Sequence, residues 1–171
     1  KGAEPRAGIV LDWLEKLGIS VIYPKEGASC EGVEYIPVFN GRTGAGAYYP
    51  SEGDGECETI RAVDRAFINR LRVSPNNLYF LDVMGDSMEP LFSDGATLLV
   101  DTSDNAKHYL MDGKIYVVNL EDAVLVKRIQ MSPDEIVLCS ENPMHAPIRV
   151  PASEMDRFRV IGRVRWYTVN A

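Results

Sequence analysis

The sequence predicts a mostly β, barrel-like domain that carries one or two short helices. Short apolar runs follow one another from residue 78 onward, and close turn signals separate them. Helical periodicity is confined to two short stretches within the first 71 residues. Many short strands joined by tight turns are typical of sandwiches and barrels, so these observations together indicate the fold class.

The first 71 residues are predicted to hold few regular elements between permissive segments. Near the start, apolar residues recur at helical spacing, and Gly18 provides a C-terminal stop. This first helix either packs on the main domain or is the tail of an upstream domain or linker. The predicted elements are a helix at 8–17, a linker or turn at 24–32, a strand at 33–38, a glycine-rich loop at 40–56 and a helix at 62–71.

From residue 78 onward the predicted elements are strands, separated by turns at Asp94-Gly95, Asp112-Gly113 and 132–134. In the last strand, apolar and arginine side chains alternate, and Gly162 indicates a bulge or bend. We interpret the arginine face as a solvated outer face, with a subunit interface as the alternative. The predicted strands cover 78–84, 96–101, 114–120, 123–130, 135–139 and 157–169.

The composition excludes several classes of function. The 171 residues carry a net charge of −7, which disfavours binding of a nucleic-acid backbone or an anionic membrane surface by this chain alone. Three widely spaced cysteines without a CxxC pair predict neither a disulfide framework nor a zinc site, and they indicate the reducing cytoplasm. No apolar run approaches the ~20 residues of a membrane span, and we expect no signal peptide. We therefore expect a cytoplasmic protein without a metal or cofactor.

The first candidate for chemistry is Ser87, which follows a predicted strand in the segment MGDSMEP at 84–90. The neighbouring Gly85 favours a tight, exposed turn, from which a serine hydroxyl can project into a cleft. Backbone N–H groups near Ser87 and Met88 would then be available to an oxyanion. Taken alone, however, a Gly-Asp-Ser sequence at a strand end is more often an ordinary turn.

The second candidate is Lys127, in the predicted strand AVLVKRIQ. Alternation puts Leu125 and Ile129 on its face, and the opposite face also carries apolar residues beside Arg128, so the strand should be largely buried. Burial disfavours the ammonium and lowers the pKa of a lysine, which can then act as a general base near neutral pH. The alternative is a structural lysine whose ammonium reaches the surface.

The third candidate is the Gly-Ala-Gly-Ala segment at 44–47, inside the glycine-rich loop. Small residues enter a narrow protease cleft easily, and glycines allow an extended, cleavable conformation. The alternative is a plain flexible loop. Along the chain, the order is small-residue loop, serine turn and lysine strand, with about 40 residues from each to the next.

This combination resembles the self-cleaving LexA-type repressors, which include lambda-type phage repressors and the polymerase accessory protein UmuD. The resemblance runs from about Tyr35 to Thr168. It is strongest in NNLYFLDVMGDSMEPLFSDGATLLVD at 76–101, and DGKIYVVNLEDAVLVKRI at 112–129 is the second matching segment. The family resemblance implies a LexA/signal-peptidase-like β domain.

The resemblance also implies roles for individual residues. Ser87 matches the nucleophile, Lys127 matches the general base, and Ala45-Gly46 matches the bond that these proteins cut in themselves. Because 44–47 also offers Gly44-Ala45 and Gly46-Ala47, a shift of one residue stays open.

Partners and domain organisation follow from the same resemblance. It implies a homodimer, operator DNA bound through an N-terminal helix-turn-helix domain that this chain lacks, and an activated RecA filament that promotes cleavage in an SOS response. Residues 1–32 are then a helix and linker after the absent DNA-binding domain, and 33–171 form the peptidase and dimerisation domain. Since the chain begins with Lys1, we expect a fragment or a processed product.

Two other functions are compatible with the sequence. One is a catalytically idle dimerisation module of a phage-type repressor. The other is a Ser-His-Asp hydrolase that uses His108 or His145 with Asp101 or Asp94. The second is disfavoured because the chain has only two histidines, both in loop-like contexts.

Overall fold

The computed structural model describes residues 32–39, 44–45, 59–121 and 123–169. The chain divides into two compact units, residues 1–31 and 32–171, and every described residue belongs to the second. The predicted helix at 8–17 and nearly all of the predicted linker at 24–32 lie outside the described residues. The same is true of the loop at 40–56, except for residues 44–45.

The described residues form a mostly β domain, as predicted. They include two short α-helices, α1 (Arg65–Leu71) and α2 (Asp104–His108), and two 3-10 helices, Pro75–Asn77 and Ala152–Arg157. The strands are β1 (Val33–Phe39), β2 (Gly44–Ala45), β3 (Thr59–Asp64), β4 (Leu78–Asp82), β5 (Thr97–Asp101), β6 (Ile115–Leu120), β7 (Ala123–Met131), β8 (Glu135–Cys139), β9 (Ile148–Pro151) and β10 (Phe158–Tyr167).

All of these strands belong to one sheet. Its order is β3-β1-β4-β5-β10-β6-β7-β8-β9, and β2 pairs with β7 outside this path. Neighbouring strands are antiparallel, except for β1 and β4, which are parallel. Strand β7 therefore has three partners, since β6 lies along one side while β8 and β2 occupy different parts of the other.

The predicted strands from 78 onward are confirmed, but the helix at 62–71 is partly wrong. Residues 62–64 belong to β3, and α1 begins only after Asp64, whose carboxylate accepts hydrogen bonds from the N–H groups of Ala66 and Phe67. Strands β2, β3 and β9 and helix α2 were not predicted from the sequence. Helix α2 has five residues, too few to show a helical period, and it begins after a Ser103 cap.

The core lies on both faces of the central strands, which explains their continuous apolar runs. In β5, Leu98 and Val100 enter one buried cluster while Leu99 enters another. A third cluster surrounds Tyr116 of β6 and Ile129 of β7. Among the described residues, no helix is long and apolar enough to cross a membrane.

The predicted irregularity of β10 at Gly162 is confirmed, because the pairing with β6 shifts register between Val160 and Gly162. A Cβ at Gly162 would lie 2.6 Å from the Asp101 carbonyl oxygen, so the close strand approach requires glycine. The interpretation of a solvated arginine face is only partly confirmed, because Arg159 is exposed but Arg163 and Arg165 are not. Arg165 Nη1 lies 3.1 Å from the carboxylate of Asp101, which is 2% exposed, and Arg163 Nη2 lies 4.0 Å from it.

Candidate active site

Ser87 lies in a turn that connects β4 to β5, and we call residues 83–96 the nucleophile turn. Gly85 has a φ of +95°, which favours glycine, and its N–H donates to Asp94 Oδ1 at 2.6 Å. The turn closes where the Val83 N–H donates to the Ala96 carbonyl at 2.8 Å. The Asp94-Gly95 signal thus marks a turn, as predicted, and its carboxylate also fixes the backbone just before the serine.

The buried part of the nucleophile turn follows Ser87 directly. Met88 and Phe92 are almost fully buried in the same cluster as Leu81 and Val83, whereas Ser87 itself is partly exposed. Within the described chain, the backbone N–H groups of Ser87 and Met88 donate no hydrogen bond. They are the two amides that the sequence analysis names as candidate oxyanion donors.

Lys127 lies in the middle of β7 and is 6% exposed, which confirms the predicted burial. Its cross-strand partner is Tyr116 of β6, which is fully buried. Burial lowers the pKa of the Lys127 ammonium, and the negative charge of Asp86 opposes part of this shift. The lysine is thus biased toward the neutral amine that a general base requires.

The hydrogen-bond partner of Lys127 is a residue that sequence analysis missed. Lys127 Nζ donates to Ser140 Oγ at 3.0 Å, and no hydrogen bond within the described residues joins Lys127 to Ser87. The register of the β7–β8 hairpin is the signal that could have found this contact. The two strands are antiparallel and Arg128 pairs with Cys139. The residue before Arg128, which is Lys127, therefore lies beside the residue after Cys139, which is Ser140.

Ser140 begins a segment that also reaches the nucleophile turn, and we call residues 140–145 the clamp turn. The Asn142 N–H donates to the Ser87 carbonyl at 3.1 Å, and Asn142 Nδ2 donates to the Asp86 carbonyl at 3.2 Å. His145 Nε2 lies 2.8 Å from Asp86 Oδ1. The clamp turn therefore contacts both candidate catalytic residues, which lie on separate elements.

Part of the predicted cleavage segment lies against the lysine strand. Gly44 pairs with Val124, and Ala45 pairs with Ala123. Ala123 lies four residues before Lys127, which is about 13 Å along a strand. This register does not bring Ala45 beside Lys127. Gly46 and Ala47 lie outside the described residues.

The Ser-His-Asp alternative finds none of its predicted pairs among the described residues. His108 ends helix α2, so its predicted loop-like context is wrong. Asp101 pairs with Arg165, and Asp94 accepts from the Gly85 amide. His145 contacts Asp86 instead, a pair that the sequence analysis did not predict. The described residues also hold no group of three or more potential metal ligands.

In this mostly β domain, the clamp turn contacts both a buried lysine and a glycine-containing turn that carries a serine. This combination defines the class of the protein, which is a serine peptidase-type domain. The Peptidase S24-like family model matches residues 37–165. The chain belongs to the Peptidase S24-like family, which confirms the resemblance inferred from its motifs.

Individual relatives agree with this assignment. The LexA repressor of Ectopseudomonas mendocina (strain ymp) is 34% identical over 140 residues, which are 81% of this chain and 62% of that protein. LexA repressor 2 of Pseudomonas syringae pv. tomato is 38% identical over 116 residues, 67% of this chain and 52% of that protein. Repressor protein CI of Enterobacteria phage phi80 is 34% identical over 86 residues, 50% of this chain and 34% of that protein. The chain thus spans between a third and two thirds of the length of these relatives.

Proposed function

We propose that this chain is the C-terminal domain of a repressor-type transcription regulator that inactivates itself by cutting its own chain. Ser87 is the nucleophile and Lys127 is the general base. The observation that carries the proposal is the clamp turn, which contacts a buried lysine of lowered pKa at one end and the carbonyl of the partly exposed serine two residues later.

The reaction uses the neutral amine of Lys127 to take the proton of the Ser87 hydroxyl. The serine oxygen attacks the carbonyl carbon of Ala45, and the amides of Ser87 and Met88 stabilise the oxyanion. The amine of Gly46 leaves with the proton that Lys127 carries. Water then hydrolyses the Ala45 ester and regenerates Ser87, following the Ser-Lys variant of triad chemistry.

Self-cleavage requires a local rearrangement of the cleavage segment. Ala45 pairs with Ala123, about 13 Å along β7 from the lysine. We infer that this pairing is a resting register, and that the segment must move along or away from β7 before cleavage. Because substrate and catalyst share one chain, the effective concentration is high, and conformation is what restrains the reaction.

The partners of the proposed regulator are inferred from the family resemblance and not from contacts of this chain. We propose a cytoplasmic homodimer whose DNA contacts are made by an N-terminal helix-turn-helix domain of the longer protein. An activated RecA filament is the proposed stimulus for cleavage, as part of an SOS response. The net charge of −7 agrees with leaving operator binding to another domain.

A catalytically idle dimerisation module is the second candidate. The observation in its favour is that Lys127 donates to Ser140 and not to Ser87, while Ala45 pairs away from the lysine. Both arrangements also suit a resting protease, so the two functions differ only in whether cleavage ever occurs.

Incubation of the purified protein over a range of pH, followed by intact-mass measurement, tests the proposal. We expect two fragments from a cut within residues 44–47, and faster cleavage at alkaline pH because more Lys127 is then neutral. Ser87→Ala and Lys127→Ala should each abolish cleavage.

His108→Ala serves as a control that should still cleave. Loss of cleavage in this histidine variant, with the fold intact, would contradict the dyad. A wild type that stays uncut at every pH, and also with an activated RecA filament, would favour the idle module.

A further inference from the structure

We propose that Ser140 is a positioning residue for Lys127, and that its hydroxyl orients the amine so that the lone pair can face the nucleophile turn. The inference rests on the proposed function and adds a third side chain to it. Ser140 exchanges no proton and forms no covalent bond in the proposed reaction. It acts through the lysine.

The geometry of the lysine amine makes such a partner necessary. A neutral amine has two N–H groups and one lone pair, and the C–N bond rotates freely when nothing holds it. Among the described residues, Ser140 Oγ is the one hydrogen-bond partner of Lys127 Nζ, at 3.0 Å. Because one N–H is committed to Ser140, fewer orientations of the lone pair remain, and proton transfer from Ser87 is less often misaligned.

Ser140 is itself held from both sides. The residue before it, Cys139, pairs with Arg128 in the β7–β8 ladder, and the residue after it, Glu141, forms an ion pair with the Arg128 side chain. Two residues after Ser140, the Asn142 N–H donates to the Ser87 carbonyl. The clamp turn thus sets the spacing between base and nucleophile, and Ser140 is its contact with the base.

The hydroxyl of Ser140 has a distinct effect on each protonation state of the lysine. As an acceptor it stabilises the ammonium, so its removal should move the lysine titration to lower pH. Removal also frees the amine to rotate, so cleavage should slow even where the lysine is fully neutral. Loss of Ser140 should therefore lower the cleavage rate reached at alkaline pH without raising the pH at which cleavage is half-maximal. This pattern separates positioning from a role in folding, because loss of a folding role would lower the melting temperature alone.

The experiment compares the pH–rate profile of self-cleavage in four proteins: wild type, Ser140→Ala, Ser140→Thr and Ser132→Ala. Ser132 is a matched control, because its hydroxyl donates to the Glu135 carbonyl at the opposite end of β8. We expect Ser140→Ala to lower the alkaline plateau about 10- to 100-fold and to move the midpoint to lower pH. Ser140→Thr should recover most of the rate, and Ser132→Ala should match the wild type.

A titration of the Lys127 side chain by NMR, in a Ser87→Ala background, gives a readout that does not need cleavage. Wild-type plateau and midpoint in Ser140→Ala, or a Lys127 titration that does not move, would overturn the role of Ser140 while leaving the dyad intact. If the wild type never cuts but the titration moves with Ser140, the contact stands and the self-cleaving function is overturned, together with the positioning role.

Discussion

The nucleophile turn and strand β7 supply the two halves of the proposed dyad in opposite environments. Ser87 is partly exposed, in a turn bent by a glycine of positive φ and held by the Asp94 carboxylate. Lys127 is buried in the middle of a nine-residue strand, with fully buried Tyr116 opposite. One half is held by a few specific hydrogen bonds, and the other by the core of the domain.

The difference follows from what each half has to do. A nucleophile needs access to the peptide that it attacks, so it cannot be buried in a ladder. A lysine base needs to lose hydration, because an exposed lysine stays protonated at neutral pH. The clamp turn contacts the exposed serine turn and the buried lysine, and each keeps its own environment. We therefore expect substitutions on the serine side and on the lysine side to have different effects.

Of the three changes that test this comparison, Gly85→Ala should have the largest effect, because it strains the nucleophile turn alone. Apart from its two chain neighbours, no described residue lies within 4 Å of the site where its Cβ would be, so the cost comes from the backbone conformation. We expect cleavage to slow by about 10-fold or more because the serine is displaced. Gly113→Ala is the matched control, since Gly113 has a φ of +71° and equal space around it. If both variants lose cleavage equally, general destabilisation and not the turn is responsible.

Asp86→Asn should have a smaller effect on the cleavage rate, and it should speed cleavage instead of slowing it. The charge of Asp86 raises the pKa of Lys127, so its removal leaves more neutral lysine at neutral pH. Because the Asp86 side chain is 60% exposed and solvent screens it, we expect only about a two- to fivefold faster cleavage near pH 7, less in high salt. Asp134→Asn, at the β7–β8 hairpin, should change nothing. A slower Asp86→Asn would mean that its contacts with the clamp turn matter more than its charge.

The smallest effect concerns stability, and it tests the lysine side of the comparison. In a Ser87→Ala background, Lys127→Met should raise the melting temperature by about 2–4 °C near neutral pH. The reason is that the lysine pKa is lowered in the folded state, so folding costs free energy wherever the ammonium must be buried. This cost fades as the pH rises through the lowered pKa toward the unfolded value, so the gain should shrink at alkaline pH. The exposed Lys114→Met should give no such gain, and a gain independent of pH would contradict the burial argument.

Much of the fold was predictable because its strands carry strong local signals. The run EIVLC became β8 without a change of boundary, and the β7 pattern correctly predicted a buried lysine. The errors fall where the local signal is weak or has two meanings. Ala62 suits a helix, but the pairing of residues 62–64 with β1 makes them a strand. The alternating arginines of β10 suggest a solvated face, but two of them form ion pairs with the buried Asp101.

The amino-acid sequence alone was sufficient to predict the family, the mostly β class, and the two residues on which the proposed chemistry depends. Those features reside in contiguous motifs, where residue types and spacing carry the information. The contacts of the serine and the lysine depend on the tertiary structure. Asn142 and His145 meet the nucleophile turn across more than 50 positions of the chain, and Ser140 meets Lys127 across the β7–β8 hairpin. The hydrogen bond to Ser140 depends on the register of β7 with β8, and the pairing of Ala45 with Ala123 joins residues so far apart that no local pattern encodes it.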